Sequence, residues 1–224
     1  MEEAYLIEIK NMTALAGDAS PEGVSITFRN GIYGLIGSHA ADLLATVAGV
    51  YPVESGQILV SGYDLGEQPT EAKRRMGYMP HPLPLPSDMT VCEYLGFVAA
   101  IKGLRDDALH RRVREVITTT GIGNVQNRLL QRLSPALCLR VGLAQALLAD
   151  PDALLMDDPC AGLDGEARAE MHALIREAAK GRTVLIASDT AELEELCDVL
   201  ISLSDGQKIV VERPSAAYNE EVEL

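Results

Sequence analysis

A chain of 224 residues with 47% hydrophobic residues is long enough to bury a full core and too apolar to be disordered. Its formal charge of −14 argues against a nucleic-acid surface, which would need a basic stripe, and against direct attraction to anionic lipid, which leaves a protein partner as the expectation. In chain order, residues 4–10 (A-Y-L-I-E-I-K) and 24–28 read as strands separated by a Gly/Asp/Ser/Pro turn. Gly31 turns the chain into a short apolar strand, Ile32 to Ile36, and an Ala/Leu-rich helix is expected over 42–49. After a turn at 51–56, Q-I-L-V-S-G-Y-D-L (57–65) reads as a strand running into a Gly turn. Basic residues Lys73 to Arg75 precede a short strand at 76–79 and the proline cluster 80–86, which dictates an extended surface loop.

From Thr90 the pattern turns helical, and a second, charged helix at 106–119 carries Leu109, Val113, Val116 and Ile117 on one face. Ser134-Pro135 opens another helix, with serine as N-cap and proline at the first helical position, and it ends near Asp150-Pro151. A-L-L-M-D-D (153–158) is a short buried strand with acids at its carboxyl end, where open α/β sheets place ligands. A helix at about 166–179, a strand at 183–188, an acidic helix at 190–197 and a hairpin at 199–211 complete the reading. Cys92, Cys138, Cys160 and Cys197 have neither C-x-x-C nor metal spacing and read as reduced thiols, mostly filling the core of a cytosolic chain. The N-terminus is acidic where a secretory leader would be basic, and no apolar run approaches the roughly 18 to 20 residues that cross a bilayer. Any membrane link is therefore expected to pass through another subunit.

The strand-turn-helix around Gly34 to Val50 is the setting of a phosphate-binding loop, but the loop itself departs from what phosphates require. A working loop follows G-x-x-x-x-G-K-[ST], in which backbone N–H groups wrap the phosphates, lysine neutralises them and the hydroxyl holds magnesium. Counted from Gly34, the last three places fall on His39, Ala40 and Ala41; counted from Gly37, on Asp42, Leu43 and Leu44. Neither register supplies glycine, lysine or hydroxyl.

The order of segments resembles an ABC transporter ATP-binding subunit over nearly the whole chain. The resemblance is carried by A-G-V-Y-P-V-E-S-G-Q-I-L-V-S-G-Y-D-L, R-R-M-G-Y-M-P, L-S followed by R-V-G-L-A-Q-A-L-L-A-D-P, L-L-M-D-D-P-C-A-G-L-D, and T-V-L-I-A-S followed by A-E-L-E-E-L-C-D. It implies an α/β fold: a RecA-like P-loop NTPase core with an N-terminal antiparallel β subdomain and a helical subdomain. The whole chain, 1–224, would be one cassette, with core and β subdomain at 1–87 and 134–224 and the helical subdomain at 88–133.

Mapped onto this chain, the family's Walker A region falls on Gly37, Ser38, His39, Ala40, Ala41 and Asp42, about three residues short after Ala41, the missing piece being Gly-Lys-Thr. His81 stands at the glutamine-loop position, and Ser134, Pro135 and Ala136 lie in L-S-P-A-L where the family has L-S-G-G-Q. Asp189 holds the place of the switch histidine, and Asp158 that of the catalytic glutamate. Asp157 keeps the magnesium position, Asp164 keeps the D-loop acid, and the turn at 13–20 offers no aromatic ring for adenine. Losing a lysine charge about 4 Å from a phosphate forfeits on the order of 4 kcal/mol at an effective dielectric near 20. That is about a thousandfold in affinity, enough to turn a micromolar site millimolar.

Several residues carry a plainer reading beside the functional one. Asp157 and Asp158 read either as a vestigial magnesium site or as acids hydrogen-bonded to loop N–H groups; buried together, one should be protonated or paired. His39 reads as a substitute cation or as incidental, and the acids at 192–195 as a solvated helix face. His81 and the proline loop read as a surface for a permease. The resemblance implies a second, intact cassette and an integral-membrane permease as partners, no nucleic acid, and a cytoplasmic place at the inner face of the membrane. Mg-ATP is expected to bind weakly or not at all. Three functions stay open: a non-catalytic subunit, a slow ATPase using Asp157 and Asp158, and a regulatory or scaffolding module with no transporter.

Overall fold

Aliphatic runs become two sheets, and the spacing within each run tells which faces are covered. The computed structural model describes residues 6–15, 18–188, 191–203 and 209–212. In chain order its strands are β1 (Ile7–Leu15), β2 (Asp18–Phe28), β3 (Gly31–Ile36), β4 (Gln57–Val60), β5 (Tyr63–Asp64), β6 (Met76–Met79), β7 (Ala153–Asp157), β8 (Thr183–Ala187), β9 (Val199–Leu203) and β10 (Ile209–Glu212). The α-helices are α1 (Ala40–Val47), α2 (Pro69–Arg74), α3 (Val91–Ile101), α4 (Asp106–Thr119), α5 (Pro135–Leu147) and α6 (Gly165–Ala178).

An antiparallel sheet of order β2-β1-β4-β5 stands beside a larger one of order β10-β9-β3-β8-β7-β6, parallel except for β10. In β1, Ile7 and Ile9 are buried while Glu8 and Lys10 stay partly exposed, the alternation of a half-covered sheet. In β7 and β8, residues 153–156 and 183–187 are all buried, as expected when both faces of a parallel sheet are covered. Their two-residue period divides them: Leu154, Met156, Val184 and Ile186 pack with α3–α6, whereas Ala153, Leu155, Leu185 and Ala187 pack with α1 and the smaller sheet. The helices α3 and α4 lie side by side on α5, and the sequence T-V-C-E starts α3 with a reciprocal capping box between Thr90 and Glu93. Gly77 lets α5 settle on β6, because a Cβ there would stand 2.2 Å from the Ala146 carbonyl oxygen.

Several expected elements shift. The turn expected between the first two strands is instead a continued ladder, Ala14 opposite Ala19 and Leu15 opposite Asp18; residues 16–17 lie outside the described ones. The misleading Pro21 and Gly23 fall in a register break between Met12–Val24 and Ala14–Ala19, where a missing ladder N–H is tolerated. Residues 57–65 form not one strand but the β4–β5 hairpin, Val60 opposite Tyr63. The basic run 73–75 belongs to and ends the short helix α2, which was not anticipated. The acidic helix is a short 3-10 turn, Ala191–Glu195. Among the cysteines only Cys197 is buried, and Cys92 is exposed, so thiols are not mainly core filler. The helix after β3 begins at Ala40, two residues before the expected start, and this shortens the loop in front of it.

Candidate functional site

The residues expected to act are brought to one place by strand register. Leu35 and Asp157 both lie opposite Ala187, and Met79 lies opposite Met156, so β3, β8, β7 and β6 end along a single sheet edge. From that edge leave the loop Gly37–His39, Ser188, the pair Asp157–Asp158, and Pro80–His81. The Ser188 N–H donates to the Leu35 carbonyl at 3.3 Å and ties two of these strand ends together. Asp189 lies outside the described residues.

The connection from β3 to α1 is three residues long: Gly37, Ser38 and His39. Gly37 has φ +115°, which only glycine adopts without strain. The Ala40 N–H donates to the Gly37 carbonyl at 3.1 Å and the Leu43 N–H to the His39 carbonyl at 2.9 Å, so the helix begins at once. Ala40 is buried, His39 and Asp42 are half-buried, Ala41 and Ser38 are exposed. Asp42 sits in the first turn of α1, where a carboxylate complements the positive end of the helix dipole. The basic run is committed elsewhere. Lys73 donates to the Gly49 carbonyl at 2.9 Å, just past the far end of α1; the helix of eight residues between them is about 12 Å long. Arg74 pairs with Glu71, and Arg75 with Asp152.

Asp157 and Asp158 are half-buried rather than buried, so water remains within reach of both. Asp158 is in the left-handed region at φ +40°, tolerated by aspartate; its N–H donates to the Ala187 carbonyl at 2.8 Å and its own carbonyl accepts from Ala161. Sequence reasoning missed Tyr78 on β6. Burial above all pushes its phenol up from the ordinary value, and the negative charge of Asp157, then Tyr51, add to it. The available signal was the position of Tyr78 two residues before the proline loop, on a strand adjoining the acidic one. Its carbonyl accepts from the Gln145 side chain at 2.6 Å, and Leu83 of the proline loop packs into the main core, so α5 and the core hold this side of the edge. His81 is exposed.

Ser134 caps α5, its Oγ accepting from the Leu137 N–H at 3.4 Å, with Pro135 at the first helical position and Ala136 half-buried. This end lies 11 residues, about 16 Å along α5, from the Gln145 that touches β6, so the structure does not bring it to the sheet edge. Asp164 caps α6, accepting from the Ala167 N–H at 2.9 Å, and Arg168 donates to the Leu163 carbonyl at 2.8 Å, which fixes the A-G-L-D turn.

A parallel sheet with a β3–loop–α1 unit at its carboxyl edge, an antiparallel sheet beside it and a helical layer define a nucleotide-binding cassette architecture. The comparisons agree with it. The ABC transporter family model matches residues 23–161. The chain is 31% identical over 223 residues to the Nod factor export ATP-binding protein I of Burkholderia lata, covering 96% of this chain and 73% of that protein. It is 26% identical to the ABC transporter ced-7 of Caenorhabditis elegans over 91% of this chain, but spans only 12% of that protein's length. Among solved structures, cbiO1 from Clostridium perfringens, part of the ABC transporter complex cbiONQ, superposes with a TM-score of 0.82 at 23% identity, over 95% of this chain and 90% of that one. The chain belongs to the ABC transporter family, as an ATP-binding-type subunit. No helix among the described residues is long and apolar enough to cross a membrane.

Proposed function

We propose that this chain is a non-catalytic member of its family, a subunit that pairs with an intact cassette or docks on an integral-membrane permease at the cytoplasmic face. The observation that carries this reading is the three-residue link Gly37–His39 between β3 and α1. Such a link has too few N–H groups to wrap a triphosphate, and it contains no lysine and leads into a helix with Asp42 in its first turn. The residues present therefore do not fit Mg-ATP held in the family's manner, and no hydrolytic step is derived through it. Across the sheet edge, Asp158 offers a carboxylate one methylene shorter than the family's glutamate, and His81 an imidazole in place of an amide. Pro135 has no N–H to give a partner's nucleotide. What remains is shape: the single cassette with its helical part at 88–133, and the D-loop turn fixed by Asp164. A homodimer would then be inert, because each composite site would lack both halves.

Titration calorimetry of the isolated chain with Mg-ATP tests this directly. The expected result is no saturable heat below millimolar nucleotide; a micromolar dissociation constant overturns the reading. Inserting Gly, Lys and Thr after Ala41 is expected to bring binding back by roughly a thousandfold, the worth of one lysine near a phosphate. The pair Asp157–Asp158, in which Asp157 keeps the magnesium position and Asp158 still offers a carboxylate, favours a second reading, a slow ATPase with an unfamiliar grip, which the same titration separates from the first.

A further inference from the structure

The helices α3 and α4 rest on each other and on α5, and α5 in turn rests on β6, so the pair forms an outer layer held away from the sheet. Several polar side chains of that layer bond within it: Arg105 donates to the carbonyls of Ala100 and Leu104, the Thr118 hydroxyl to the Arg114 carbonyl, and Glu93 is engaged by Thr90. Arg112 leaves the layer. Its guanidinium donates to the carbonyl of Leu147 at 2.6 Å and to that of Leu148 at 3.1 Å, and pairs with Glu115 on α4 itself at 2.8 Å. The last carbonyls of a helix have no partner within it, and α5 has no basic residue in its own last turn to meet them. One helix therefore caps another.

The same guanidinium reaches Asp150 Oδ1 at 3.2 Å, and that oxygen also accepts from Arg182 at 2.6 Å. Arg182 donates in addition to the carbonyls of Ala178 and Pro151 and stands immediately before β8, where the Thr183 hydroxyl donates to the Arg29 carbonyl ahead of β3. Asp150 lies in the left-handed region at φ +51°, which aspartate tolerates just past a helix end. The two arginine side chains are only 17% and 23% exposed, whereas that of Asp150 is 66% exposed. Two cations thus share one anion, and without it they would face each other at close range.

We infer that Asp150 is a latch: it fastens the α3–α4 layer, through Arg112, to the sheet, through Arg182, and its release lets the layer turn on α5 while the sheet stays folded. The apolar contact beneath α4, made by Val113, Val116 and Ile117, is non-directional and permits small sliding, whereas the bonds of Arg112 fix one angle. The carboxylate is the exposed part of the tie, so it is where salt loosens it. Asp150 precedes β7, at the opposite end of that strand from Asp157. The chain that leaves the sheet edge at Pro80–His81 nevertheless enters α3 at Val91, so the orientation of the layer sets where the proline loop must end. The inference holds whether or not the chain takes up nucleotide.

Hydrogen exchange of the full chain, read by mass spectrometry, tests it. Asp150→Asn suits the same backbone conformation and removes the anion; amides of 91–101 and 106–119 should then exchange about tenfold faster, while those of β3 and α1 keep their rates. Arg112→Gln should act alike, and the double variant should be no faster than the faster single one, because both changes open the same latch. Salt separates a latch from a general loss of stability. Raising the ionic strength to about 1 M shortens the screening length to about 3 Å, which should speed exchange of the layer in the native chain and slow it in Asp150→Asn, where it relieves repulsion. An unchanged near-ultraviolet circular dichroism spectrum verifies that the variants fold, and the salt response of the native chain needs no variant. Equal acceleration in β3 and α1, additive effects of the two substitutions, an unchanged layer in Asp150→Asn, or a native layer that salt does not loosen overturns the proposal.

Discussion

The strands β3, β7 and β8 and the loops that leave their carboxyl ends are neighbours in space, yet they are specified in very different ways. Every residue from 153 to 156 and from 183 to 187 is buried and apolar or internally satisfied, so each position is supported by several others. In the family the sequence resembles, the loops act through single residues: a lysine, a glutamine, a histidine. A fold specified by many small contributions survives the loss of any one, whereas a phosphate grip specified by one cation does not. On the reading proposed above, family membership and family chemistry separate in this chain.

The largest effect is expected from the scaffold. Leu155→Ala removes a fully buried side chain between the two sheets and should cost about 3 kcal/mol in urea unfolding. Gly77→Ala would drive a methyl into the Ala146 carbonyl and should cost about 2 kcal/mol by the same measurement. Asp164→Ala, which removes an N-cap, should cost about 1 kcal/mol, and Asp164→Asn almost nothing. A smaller effect is expected from Tyr78. Its folded phenol is harder to ionise than the unfolded one, so the folded chain holds the proton longer as pH rises above about 10. The stability it contributes is complete below that pH and lost as pH climbs through the folded value, and Tyr78→Phe should flatten this part of the alkaline unfolding curve. At the edge, His81→Ala should change stability by no more than about 0.5 kcal/mol, since the side chain is exposed. A large loss there would erase the contrast between scaffold and edge.

Most of the scaffold was legible in the sequence because periodicity records burial: α4 and α5 lie where their apolar spacing and the Ser134-Pro135 start signal put them. The β1–β2 ladder was not, because Pro21 and Gly23 imitate a turn that the register break absorbs. Tyr78 was missed because its place just before the proline loop was the one signal, and M-G-Y-M by itself does not reveal which residue of a neighbouring strand it will face.

The amino-acid sequence alone determined the order of most elements, the family, and the lack of a lysine between Gly37 and Asp42, because these depend on residue identity and near neighbours along the chain. Only the tertiary structure decided that α1 starts at Ala40 and leaves three residues for the loop, that Ser134 stands away from the sheet edge, and that Arg112 turns inward onto the carbonyls of Leu147 and Leu148 while its neighbour Arg111 stays exposed. Those outcomes follow from which surfaces pack together, and packing is fixed by contacts between residues far apart in the chain.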